Sequence, residues 1–105
     1  MKSTREELFI SIKRVLHSTE PDGKVILFGS RSRNDAREDS DWDLLILLNK
    51  SRIEASDFDR IAYPICELGW NEGEQFSPKL YTMNEWKERS FTPFYKNIEK
   101  EGIEL

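Results

Sequence analysis

The sequence predicts a small α/β protein in which helices alternate with three strands. Lys24-Val25-Ile26-Leu27-Phe28 and Trp42-Asp43-Leu44-Leu45-Ile46-Leu47-Leu48 are short runs with apolar residues on both faces of an extended chain, the pattern of strands inside a sheet. Apolar residues at helical spacing precede the first run and follow the second. Turn-forming clusters such as Glu20-Pro21-Asp22-Gly23 and Trp70-Asn71-Glu72-Gly73 punctuate the boundaries.

Thr4 and Glu7 have the spacing of a capping box, in which each side chain satisfies a free backbone N–H. The helix they start carries Leu8, Ile12, Val15 and Leu16 on one face and ends near His17, a residue favoured at that end by the helix dipole. After the strand at 24–28, Ser30 is placed to cap a short helix running to about Asn34. Arg31, Arg33 and Arg37 alternate there with Asp35, Glu38 and Asp39. The second strand is expected over 41–48. A loop over 49–55 leads to a helix started by Ser56 and Asp59, with Phe58, Ile61, Ala62, Ile65, Cys66 and Gly69 on its apolar face. Pro64 should kink or split that helix. The third strand, 75–82, contains Pro78, which cannot donate to a ladder and so puts the strand at an edge or a bulge. Thr82 or Asn84 caps a short helix around Trp86. Thr92-Pro93 opens the last helix with Phe94, Ile98 and Tyr95 inward, Gly102 stops it, and Ile103-Glu104-Leu105 trails off.

A chain of 105 residues is expected to form one domain, 1–105. Its net charge of -4 argues against general nucleic-acid binding, which shows a basic footprint. One cysteine rules out an internal disulfide framework and points to a reducing compartment. With no apolar run of spanning length and no signal-peptide stretch, no membrane association is expected and the cytoplasm is the expected location. Cys66 lies on an apolar helix face, where a thiol is inert.

Chemistry concentrates in the two strands. Side chains alternate along a strand, so Asp41 and Asp43 project from one face, with Leu45 and Leu47 continuing it. Two carboxylates at the start of a buried strand cost free energy unless positive charge meets them. Hard oxygen ligands suit Mg²⁺, which sits between one or two carboxylates and substrate phosphates. Gly29-Ser30 ends the first strand in a bend whose backbone N–H groups can approach phosphate.

The segment Val25-Ile26-Leu27-Phe28-Gly29-Ser30, ten residues, then Asp41-Trp42-Asp43-Leu44-Leu45 resembles the signature of the minimal nucleotidyltransferases of the polymerase-β superfamily. The resemblance implies that family's fold, a small mixed sheet of three to four strands flanked by helices. It implies that Asp41 and Asp43 hold Mg²⁺ and are catalytic, that Gly29 and Ser30 contact the nucleotide phosphates, that Arg33 contacts a phosphate or the acceptor, and that Ser40, counted with the nucleotide-binding residues, steadies the turn aiming Asp41. The implied reaction moves a nucleotide, AMP from ATP, to an acceptor hydroxyl. Small stand-alone members resemble antitoxins paired with a helical HEPN partner, sometimes modifying a tyrosine of that toxin.

Two departures stand out. Asn34 occupies a position where the family often has glycine, and Asn tolerates the left-handed backbone next best. The family's third carboxylate, the usual general base, has no counterpart in Phe76-Ser77-Pro78-Lys79-Leu80-Tyr81-Thr82. Glu74 is the nearest substitute, and Lys79 falls in the vicinity. A lysine already carries its proton at neutral pH and cannot accept another. The plainer reading of Lys79 is an edge-strand charge that discourages aggregation. A second functional reading is therefore a binding module of the same fold that neutralises its partner by covering it, with Trp86, Phe91, Phe94 and Tyr95 as candidate interface aromatics.

Overall fold

The computed structural model describes residues 3–33, Arg37 and residues 40–105. The expected turn at Asn34 and the acidic residues Asp35, Glu38 and Asp39 lie outside the described residues. The elements in order are α1 (Arg5–Thr19), β1 (Lys24–Phe28), α2 (Ser30–Arg33), β2 (Trp42–Leu48), α3 (Ala55–Asp57), a π-helical segment (Phe58–Ala62), α4 (Tyr63–Asn71), β3 (Phe76–Thr82), α5 (Met83–Glu88), α6 (Pro93–Glu101) and β4 (Ile103–Glu104).

Among the described residues the sheet has four strands in the order β3-β2-β1-β4. β1 is antiparallel to β2 and to β4, and β2 is parallel to β3, so the sheet is mixed. β2 is central and nearly wholly buried, from Leu44 to Leu48 without a break. Each such side chain contributes roughly 1.5–3 kcal/mol on burial, which makes β2 a firm base for what stands at its start. Alternation sorts its side chains as expected. Trp42, Leu44, Ile46 and Leu48 enter a core with Leu8, Ile12 and Leu16 of α1 and Ile65 of α4. Leu45 and Leu47 enter a second cluster with Trp86 of α5 and Ile98 of α6. The sheet is therefore covered by α1 and α4 on one face and by α5 and α6 on the other.

Three helix caps that need only neighbouring residues are realised. Thr4 with Glu7 and Thr82 with Glu85 both form capping boxes, and the Thr92 hydroxyl accepts from the Tyr95 amide ahead of Pro93. His17 Nε2 lies 3.1 Å from the Gly23 carbonyl at the turn after α1. Pro78 sits in β3, an edge strand.

Five expectations are corrected. β2 begins at Trp42, so Asp41 lies one residue ahead of the strand. The helix after the loop begins at Ala55, because Asp57 rather than Asp59 accepts from the Glu54 amide, at 2.8 Å. Pro64 splits the helix as expected, standing in the first turn of α4. Lacking an N–H, it follows a π-helical turn in which the Tyr63 amide reaches back to Phe58. That wider turn shifts the phase of the helix. Phe58 is turned outward, 49% exposed, while Ile61, Ala62, Ile65 and Gly69 are buried. Ile103 and Glu104 do not trail off but form β4 on the edge of β1, with Leu105 N donating to Val25 O at 3.0 Å. Finally, the late aromatics are largely inward: Trp86 is buried with Phe94 and Tyr95 packed on it, and of the four named only Phe91 is highly exposed.

Candidate functional site

Pairing of β1 with β2 places Phe28 opposite Asp43. The chain then turns at Gly29, whose φ of +77° lies in the left-handed region that favours glycine. A Cβ added at Gly29 would collide with the Asp43 Oδ2 atom. Gly29 thus does two things at once: it makes the turn and leaves room for the carboxylate. Ser30 is the first residue of α2 rather than its cap, and the Gly29 carbonyl accepts from the Ser32 and Arg33 amides at 3.0 and 3.3 Å and from Ser32 Oγ at 2.7 Å. The bend and the acidic strand start, distant in sequence, are side by side.

Asp43 is half-buried and Asp41 exposed. Burial pushes the Asp43 carboxyl above the ordinary carboxylate range, the Asp41 charge pushes it the same way, and Lys79 opposes both. Asp41 accepts a long hydrogen bond, 3.4 Å, from Ser77 Oγ. Among the described residues no cluster of three His, Cys, Asp or Glu side chains forms. The donors here are two hard carboxylates, Asp43 half-buried and Asp41 exposed, whose mutual repulsion calls for positive charge, beside the Gly29 bend. That donor set fits Mg²⁺ in its usual role between one or two carboxylates and phosphate oxygens.

Ser40 occupies the turn ahead of Asp41. Its hydroxyl accepts from the Arg37 amide at 2.9 Å, and its own amide donates to Arg37 O at 3.0 Å. Sequence reasoning missed Arg31. Its guanidinium donates to the Ser40 carbonyl at 2.9 and 3.3 Å, lies 5.0 Å over the Trp42 ring, and approaches Glu74 at 3.7 Å. Arg31 thereby ties α2 to the turn that carries Asp41. Its signal in the sequence is faint, an arginine just after Gly-Ser and an aromatic between two aspartates.

Arg33 reaches across to α6, pairing with Glu101 at 3.2 Å. Gly29 and Arg33 form one wall of a cleft of about 220 Å³, and Phe94, Asn97, Ile98 and Glu101 of α6 form the other.

On the other side of Asp43 stands β3. Its register places Ser77 beside Asp43 and Lys79 beside Leu45, so both share the Asp43 face. Glu74 is not a substitute for the missing third carboxylate. It accepts from Trp42 Nε1 at 3.1 Å, and Trp42 belongs to the opposite face of the sheet. Cys66 is half-buried, with its thiol pushed up by burial and its Sγ 3.7 Å from the Phe76 carbonyl, an unreactive setting.

The sequence profile of a family described as "Nucleotidyltransferase domain" matches residues 10–105. A chain from a solved structure described as "Crystal structure of the toxin-antitoxin with AMP-PNP" is similar in fold, with a TM-score of 0.60 and 17% identity, covering 96% of this chain and 72% of that one. No curated protein matches the chain.

Proposed function

The chain belongs to the nucleotidyltransferase domain family, and we propose that it is a Mg²⁺-dependent nucleotidyltransferase that moves AMP from ATP to an acceptor hydroxyl, a tyrosine of a HEPN-type partner toxin being the candidate acceptor. The observation that carries this reading is the contact of the Gly29 bend with the Asp43 carboxylate. The similar fold described as a toxin-antitoxin with AMP-PNP supports both an adenine nucleotide and a protein partner.

In this reading Asp41 and Asp43 hold the cation. Gly29 lets the backbone approach the triphosphate, and Ser30 and Arg33 contact its oxygens. Ser40, braced by Arg31, fixes where Asp41 points. Magnesium, when bound, neutralises charge on the triphosphate as the α-phosphorus is attacked. A bond forms from the acceptor oxygen to the α-phosphorus, the bond to the bridging oxygen breaks, and pyrophosphate leaves. The acceptor proton goes to a base supplied from the partner's side, since β3 offers Ser77 and Lys79 there.

That same feature of β3 favours a second reading, in which the chain neutralises a partner by covering it. Incubation with the candidate partner, labelled ATP and Mg²⁺ separates the two. Label on the partner supports transfer, and tight association with no label supports the binding module.

Two variants follow from the geometry. Gly29→Ala meets both the left-handed φ and the Asp43 carboxylate, so transfer should fall by roughly 10²-fold, the scale of misplacing a reacting group by about 1 Å. Rates in a single-turnover assay check this, and an unimpaired Gly29→Ala would show that the bend is not at the reacting centre. Glu101→Gln removes the carboxylate that competes with phosphate for Arg33. Affinity for Mg²⁺–ATP should rise roughly two- to five-fold, the scale of an exposed ion pair, as read by calorimetric titration. Weaker binding would mean that Glu101 itself faces the nucleotide.

A further inference from the structure

The cleft beside Gly29 has a composition that phosphate contacts do not explain. Phe28 and Phe94 meet edge to face at 5.6 Å with an interplanar angle of 83°, and with the buried Ile98 they give it an apolar lining. Asn97 lies at its rim, and its amide offers both donors and an acceptor. Arg33 and Glu101 meet at its mouth.

This wall is preformed. α6 is anchored at its start by Phe94 against Trp86, 5.7 Å between ring centres, and at its end by the chain's passage into β4, where Ile103 pairs with Leu27. Cleft and carboxylates lie on the same face of the sheet, the α5 and α6 face, and share Gly29 as a common wall. A volume of about 220 Å³ is below the roughly 300–1,000 Å³ of sites that enclose drug-sized ligands. It suits a planar base and part of a sugar, with the phosphates outside.

We infer that this cleft seats the nucleoside of the nucleotide whose phosphates lie at Gly29-Ser30, with Asn97 as the residue that reads the base. The inference rests on the nucleotidyltransferase reading and deepens it. Donor and acceptor then approach from opposite sides of Asp43, the nucleotide from α6 and the acceptor from β3.

Titration with ATP and with inorganic triphosphate, each with Mg²⁺, tests it. The wild-type chain should bind ATP at least about ten-fold tighter than triphosphate, because only ATP fills the cleft. Asn97→Trp, an exposed helix position, should block the cleft and cost ATP at least about ten-fold while triphosphate affinity stays within about two-fold. Asn97→Ala cannot block it and should weaken ATP alone, by roughly two- to ten-fold, the scale of a lost hydrogen bond. Thermal melts confirm that both variants fold. ATP affinity unchanged in both variants, or ATP and triphosphate weakened equally in folded Asn97→Trp, overturns the assignment. A wild-type chain that binds neither probe overturns the nucleotidyltransferase reading itself.

Discussion

Asp43→Asn is expected to lower nucleotide transfer by about 10³-fold, the scale of removing a preorganised group that stabilises transition-state charge, while leaving the fold intact. Asp43 is half-buried, beside Asp41, with its carboxyl pushed up by burial first and by Asp41 second. A carboxylate whose folded pKa is raised costs stability at neutral pH, because the native state holds its proton more tightly than the unfolded chain does. The amide therefore removes an unfavourable charge, and the melting temperature of Asp43→Asn should equal or exceed that of the parent. Loss of transfer together with retained or raised stability is the signature of a functional carboxylate. Loss of both would make Asp43 a structural residue. Label transfer and thermal melts, read on the same preparation, distinguish the two.

Asp57→Ala is expected to have the opposite signature, unfolding the protein more easily by about 3 kcal/mol. The figure sits at the low end for breaking a buried ion pair, because the Lys50 and Arg60 head groups reach solvent. Asp57 is 1% exposed. It accepts from Lys50 Nζ at 2.8 and 3.0 Å, from the Glu54 amide at 2.8 Å and from Arg60 Nη2 at 2.8 Å, and Arg60 also holds Glu20 at the end of α1 at 2.7 Å. One carboxylate thus ties the loop after β2, the start of α3 and the end of α1. Burial alone would raise its pKa, but the donors from Lys50, Glu54 and Arg60 together outweigh burial and hold it at about 2. A depressed carboxylate contributes stability that is present above its unfolded value and lost as pH falls through the folded one. The protein should therefore lose about 1–2 kcal/mol between roughly pH 5 and pH 2 from this group. That acid-labile share should vanish in Asp57→Asn. Urea unfolding at pH 7 and pH 3 measures both effects, and an Asp57→Asn variant with the parent's full pH dependence would assign the acid lability elsewhere.

What the sequence makes legible is what neighbours decide. Three capped helix starts need only residues three apart. The edge position of β3 follows from Pro78, and the two faces of β2 follow from strict alternation. The pairing of Gly29 with the acidic strand start also came through, because two buried strands joined by a short segment have few ways to pair. What stayed hidden depends on partners remote in the chain. β4 is two residues long, and its pairing with Leu27 has no local pattern. Glu74 reads as a spare carboxylate until Trp42 is seen to claim it from the opposite face. Asp57 and Arg31 have no distinct mark in the sequence until the fold brings Lys50 and Arg60 to one and the Ser40 carbonyl to the other. Phe58 follows the helical period on paper, but the π-helical turn ahead of Pro64 rotates it outward.

A crystal structure of the chain with magnesium and a non-hydrolysable ATP analogue should show the metal between the Asp41 and Asp43 carboxylates and the triphosphate against Gly29-Ser30. A nucleotide bound elsewhere, with neither carboxylate touching metal, would contradict that placement.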